Sequence, residues 1–171
     1  MSKSQFLVKV HDLINKPGQM REYELDFELA EQFGEGSAFV AKGAKLELDL
    51  RLESVHEGIL ATGDIFTTAK SECSRCLDAL KLDVEVDFQE LFAYSGTSED
   101  DLLVQDDSID LDPVIRDAVV LSLPFTPVCS PDCAGLCAEC GVKLADNPGH
   151  AHEAAIDSRW SELQKFETKE D

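Results

Sequence analysis

The residues of this chain best equipped for chemistry are its six cysteines and two of its four histidines. Cys73-Ser-Arg-Cys76 and Cys137-Ala-Glu-Cys140 are C-x-x-C pairs, Cys129-Ser-Pro-Asp-Cys133 is C-x-x-x-C, and His150-Ala-His152 closes the series. Gaps of this length let neighbouring thiolates reach one ion, and imidazole is an equally good ligand for zinc. Eight donors suffice for one or two four-coordinate zinc ions. Chain order suggests Cys73, Cys76, Cys129 and Cys133 as one site and Cys137, Cys140, His150 and His152 as a second. The rival grouping sets Cys73 and Cys76 with Cys137 and Cys140, and spacing alone leaves both open. Reduced structural cysteines, disulfides and a thioredoxin-like pair at Cys73/Cys76 are weaker readings. Three close pairs exceed what burial explains, and the redox motif wants a following helix where a strand is expected here. His150 and His152 can also be read as ordinary exposed residues of a loop. His11 and His56 are isolated and receive no role.

The disulfide reading weakens further with the compartment. The opening stretch, MSKSQFLVKVHDLINKPGQ, lacks a basic segment followed by an apolar run and a cleavage site. No apolar run approaches the length of a membrane span. The expected compartment is therefore the cytoplasm, where thiols stay reduced.

These donors need elements to carry them. Alternation marks strands at 21–29, 44–55 and 80–88, with Leu46, Leu48, Leu50 and Leu52 on one face against Glu47, Asp49, Arg51 and Glu53, and 5–10 and 59–70 read as further strands. Such a pattern suits an antiparallel sheet with one wet face. Asp112 can cap a helix that Pro113 starts, with Val114, Ile115, Ala118, Val119 and Leu121 as its stripe and Pro124 as its stop. Ile156, Trp160 and Leu163 share one face of a second helix near 156–166. The fold class is thus α+β. A sheet, with barrel-like closure as one option, fills 1–92. An acidic loop follows at 93–112, and 113–171 holds a helix, a cysteine-rich zinc-binding segment and a C-terminal helix packed on the β part. Residues 126–152 offer little to build a core from, so they need something else to fold around.

Charge bounds the partners. The 171 residues carry 35 acidic and 15 basic side chains, a net charge of −20, which excludes a protein gripping phosphate with its whole surface. From Leu82 to Ile115 there are eleven acids and no base. Asp100, Asp101, Asp106 and Asp107 are therefore candidate contacts for a basic partner protein, against the plainer reading of a solvated loop. Lys70, Arg75 and Lys81 are the one place where a local basic patch could touch RNA directly. A zinc enzyme, such as a nuclease, would need an open metal position and a nearby base. Cysteine-rich closed sets argue against one, so no catalytic residue, small-molecule substrate or membrane contact is expected.

Cys73-Ser-Arg-Cys76, Asp110-Leu-Asp-Pro113, Leu121-Ser-Leu-Pro124 and Cys133-Ala-Gly-Leu-Cys137-Ala-Glu-Cys140-Gly141 together resemble the YceD family of large ribosomal RNA subunit accumulation proteins. The resemblance runs from about residue 20 to 166 and extends to Asp157-Ser-Arg-Trp160, where Ser158 replaces a proline. It implies a role in 23S rRNA synthesis, processing or large-subunit assembly. Members holding the second cluster usually carry Cys-x-Cys where this chain has His150-Ala-His152. Members lacking that cluster imply the grouping of Cys73 and Cys76 with Cys129 and Cys133.

Overall fold

The computed structural model describes residues 4–96 and 101–152. The described chain is largely antiparallel β with one short helix. Its strands are β1 (Leu7–Lys9), β2 (Met20–Glu28), β3 (Ala38–Phe39), β4 (Lys45–Ser54), β5 (Gly58–Glu72), β6 (Ala79–Ala93) and β7 (Ser108–Asp110), and α1 spans Asp112–Ser122. The main sheet runs β2-β4-β5, with β6 along the whole of the other edge of β5 and β3 continuing where β4 leaves off. Strands β1 and β7 form a separate antiparallel pair.

Alternation explains the main sheet. Leu46, Leu48, Leu50 and Leu52 of β4 are buried and stand opposite Thr67, Ile65, Gly63 and Ala61 of β5. Gly63 is required by packing, since a β-carbon there would lie 2.5 Å from the Phe88 ring. The inner face is covered by Phe6, Val10 and Leu13 from the N-terminal segment, by Ile109 and Leu111, and by Val114, Ile115 and Val119 of α1, which packs on β6. The outer face keeps the acids.

Several expectations change. Among the described residues the sheet stays open and forms no closed barrel. The expected acidic loop is partly structured: Leu103 bridges Ala93, β7 pairs with β1, and Ile109 and Leu111 enter the core. Asp112 is the first helical residue and not the cap; the Asp110 carboxylate accepts its N–H at 3.0 Å. Leu121, expected on the apolar stripe, is 82% exposed, while Val119 and Leu123 on either side of it are buried. The helix expected near 156–166 lies outside the described residues.

Candidate metal centres

The long β5–β6 hairpin turns at residues 73–78, and the first cysteine pair is that turn. Cys73 donates its N–H to the Asp78 carbonyl at 2.8 Å, and Leu77 returns its own to the Cys73 carbonyl at 2.9 Å. The second pair repeats the pattern: Cys137 N–H goes to the Val142 carbonyl and Gly141 N–H to the Cys137 carbonyl, both at 2.8 Å. The residue after each pair is left-handed, Leu77 at φ 60° and Gly141 at φ 72°. Glycine takes that conformation without strain, while leucine bears a steric cost.

Four sulfurs gather at the hairpin turn. Cys73 lies 3.9 Å from Cys133 and Cys76 lies 3.7 Å from Cys129, sulfur to sulfur. All four lie within 4.8 Å of one another. A disulfide needs about 2.05 Å, whereas a zinc ion bonded tetrahedrally to four sulfurs implies sulfur–sulfur edges of about 3.8 Å. The donor set therefore fits such an ion. Cys73 and Cys76 are buried, Cys133 half-buried and Cys129 exposed. The 129–133 segment is held by backbone: Ser74 donates N–H and hydroxyl to the Pro127 carbonyl at 2.8 and 2.9 Å, and Cys129 N–H points at the Cys73 sulfur at 3.4 Å. Arg75 reaches the Pro131 and Cys133 carbonyls at 3.0 and 3.1 Å. It is thus committed to this scaffold and removed from the basic trio. Lys70 and Lys81 stand directly opposite each other on β5 and β6. Gly135, at φ 76°, lets the chain pass the Arg75 carbonyl, 3.0 Å from where a β-carbon would sit.

The sulfurs are electrostatically unequal. The Cys76 backbone N–H, more than any other group, holds the Cys73 thiol down at about 6. At Cys76 the Asp78 backbone favours the thiolate, but burial and the sulfurs of Cys73, Cys133 and Cys129 outweigh it and push that thiol up to about 12. The neighbouring Cys133 sulfur raises Cys129. Four thiolates in one place repel, and a dication removes that conflict.

The second group comprises Cys137, Cys140, His150 and His152, again within 4.8 Å. Cys140 sulfur lies 3.2 Å from His150 Nε2 and 3.3 Å from His152 Nε2, and the two Nε2 atoms are 2.9 Å apart. These contacts are slightly tighter than tetrahedral zinc edges of about 3.4 Å between nitrogens. The Glu139 carboxylate sits 3.2 Å from His152 Nδ1. A carboxylate there favours the proton on Nδ1 and leaves Nε2 free to ligate. The backbone N–H of Cys140, then that of Glu139, holds the Cys137 thiol down at about 6. Lys143 pairs with Asp78, tying the second group to the first turn, and each stabilises the other's charge.

The rival grouping is not the one the fold assembles. Sequence reading missed Asp78, Glu139 and Lys143; Glu139, inside the C-x-x-C pair beside Cys140, was the one with a positional signal. The acidic candidates lie elsewhere. Asp106 and Asp107 form the tip of a two-residue hairpin between Gln105 and Ser108, both with positive φ, a conformation aspartate tolerates. Asp107 also pairs with His11 at 3.0 Å. Asp101 is exposed beside Gly96, and Asp100 lies outside the described residues. Leu103 joins Ala93, at the end of the β5–β6 hairpin opposite the cysteines.

The family model for "Large ribosomal RNA subunit accumulation protein YceD" matches residues 61–167. The chain belongs to the YceD family. Both candidate centres of this YceD-family chain fall in the matched region. It is also 44% identical over 167 residues to uncharacterised proteins of Mycobacterium tuberculosis and Mycobacterium bovis, covering 94% of this chain and 80% of theirs. An uncharacterised Mycobacterium leprae protein is 47% identical over 128 residues, 71% of this chain and 58% of the relative. No solved structure matches. Family membership links the chain to accumulation of the large ribosomal RNA subunit. Among the described residues, no helix is long and apolar enough to cross a membrane.

Proposed function

We propose that this protein is a non-catalytic, zinc-holding factor that supports 23S rRNA processing and large-subunit assembly in the cytoplasm by binding basic ribosomal or processing proteins. The observation that carries the reading is the pair of four-donor groups: four sulfurs at edges suited to zinc, and two sulfurs with two imidazoles. Each set fills a tetrahedral shell with side chains and reserves no place for an activated water. Bound zinc would supply charge neutralisation and a crosslink. Cys129 and Cys133 would then anchor the segment after α1 to the hairpin turn, and Arg75 would hold its carbonyls in place.

Metal content per chain tests the structural half. Two zinc ions are expected in the native protein, falling to one in the His150→Ala/His152→Ala variant; none in either overturns it. The functional half is tested in cells depleted of the protein. Loss of mature 23S rRNA should be restored by the native chain and not by Cys73→Ser/Cys129→Ser. Incubation of zinc-loaded protein with precursor rRNA should leave the RNA intact, and cleavage would make it an enzyme.

A further inference from the structure

The strongest unexplained feature is the open margin of the main sheet. Strand β2 ends the sheet, and among the described residues no strand pairs with its second edge. In an antiparallel pair, every second residue turns its N–H and C=O away from the partner, so this edge presents a row of unpaired backbone groups. Its side chains are sorted. Glu22, Glu24, Asp26 and Glu28 are all exposed on the outer face, while Tyr23, Leu25 and Phe27 are half-buried on the inner one.

The acids are not neutralised evenly. Glu22 stands opposite Arg51 and Glu28 opposite Lys45, and Lys45 also pairs with Asp26 at 3.5 Å. Glu24 instead stands opposite Asp49, Asp49 opposite Asp64, and Asp64 opposite Asp87. Four carboxylates thus cross four adjacent strands in one row, an arrangement that costs stability at each step. The concavity on this face is walled by Glu22, Glu24, Asp49, Arg51 and Asp64.

We propose that the β2 edge is a docking site for an extended, lysine- or arginine-rich segment of another protein, which adds to the sheet as a further strand. Backbone pairing supplies the geometry. Side chains two residues apart share a face, so alternating basic residues fall beside Glu22, Glu24 and Asp26 while the intervening apolar ones extend the Tyr23–Leu25–Phe27 row. The same charges reject the other occupants. A second copy would set acids against acids, and a nucleic acid would bring phosphate to a carboxylate row.

This rests on the reading above, a binder of basic proteins, and names its surface. The probe is a fluorescent peptide of alternating Lys and Val matching β2 in length, titrated against the full chain. Saturable binding that weakens with salt is expected, with slowed exchange at alternate β2 amides. Methylating alternate peptide nitrogens keeps the charge and blocks pairing; it should weaken binding about tenfold or more. Glu24→Lys should weaken it about fivefold, and Asp101→Asn with Asp106→Asn and Asp107→Asn should leave it nearly unchanged. If the methylated peptide binds equally, or the loop variant loses binding while Glu24→Lys keeps it, the edge is overturned and the wider reading stands. If neither this peptide nor isolated large-subunit proteins bind at low salt, both fall. The methylation arm uses the native chain, so misfolding of a variant cannot hide the answer.

Discussion

Leu77 and Gly141 occupy the same position in two copies of one turn, and they make opposite predictions. A residue with a β-carbon bears about 1 kcal/mol or more in the left-handed region. Leu77 is 61% exposed, so its side chain gives back little burial. Leu77→Gly should therefore stabilise the metal-loaded protein by about 0.5 kcal/mol in urea unfolding, after the greater freedom of glycine in the unfolded chain is set against the relief. Gly141→Ala should do the reverse and weaken metal binding at the second centre about fivefold. The thiols set a pH dependence. Cys76 is pushed up to about 12 and Cys129 is also raised, so filling the first centre must displace their protons. Metal affinity there should fall as pH falls, and cobalt titrations on either side of neutrality would show proton release with each ion bound. A pH-independent affinity would mean that the four sulfurs do not act together.

At the scale of elements, the turn between β5 and β6 is finished by backbone hydrogen bonds, whereas residues 124–152 bury only Pro127 and Gly135. The sheet has its own apolar core. Chelation should leave the strand signal and core amides protected while exchange accelerates across 127–152; collapse of the whole fold would contradict this. Gly63→Ala should cost about 1–3 kcal/mol, because its β-carbon would meet the Phe88 ring at 2.5 Å and the Leu48 side chain at 3.0 Å. The long strands were legible because Leu46 to Leu52 and Leu80 to Phe88 alternate without interruption. Strands β3 and β7 span two and three residues, too short for a period to register. The tip at Asp106–Asp107 lacks the glycine that advertises such a hairpin, so an ordered turn read as solvated loop. The donors were legible from spacing. Their partition was not, because every pair has a workable gap, and the grouping follows from Ser74 capturing the Pro127 carbonyl, a contact 53 residues apart.

Across the whole molecule, the cysteines and the acidic hairpin tip sit at opposite ends of a β5–β6 ladder of 15 paired residues. At about 3.3 Å per residue that is roughly 45–50 Å, far beyond the Debye length of about 8 Å at physiological salt. Metal at one end therefore leaves the electrostatics of the other nearly untouched, and Glu24 of the β2 margin, in register with Asp64, is still roughly 30 Å along the strand from Cys73. Removing metal should change the affinity of a basic peptide by less than about twofold, measured by the same titration before and after chelation.

The hairpin turn also has a consequence in time. Cys129 follows Cys76 by 53 residues. At roughly 5–20 residues per second of synthesis, the nascent chain carries a finished two-thiolate cradle for about 3–10 s before its other half leaves the ribosome. For that interval the pair stands open to whatever thiophilic ion or oxidant it meets, so metal present during translation competes with oxidation for a half-built site.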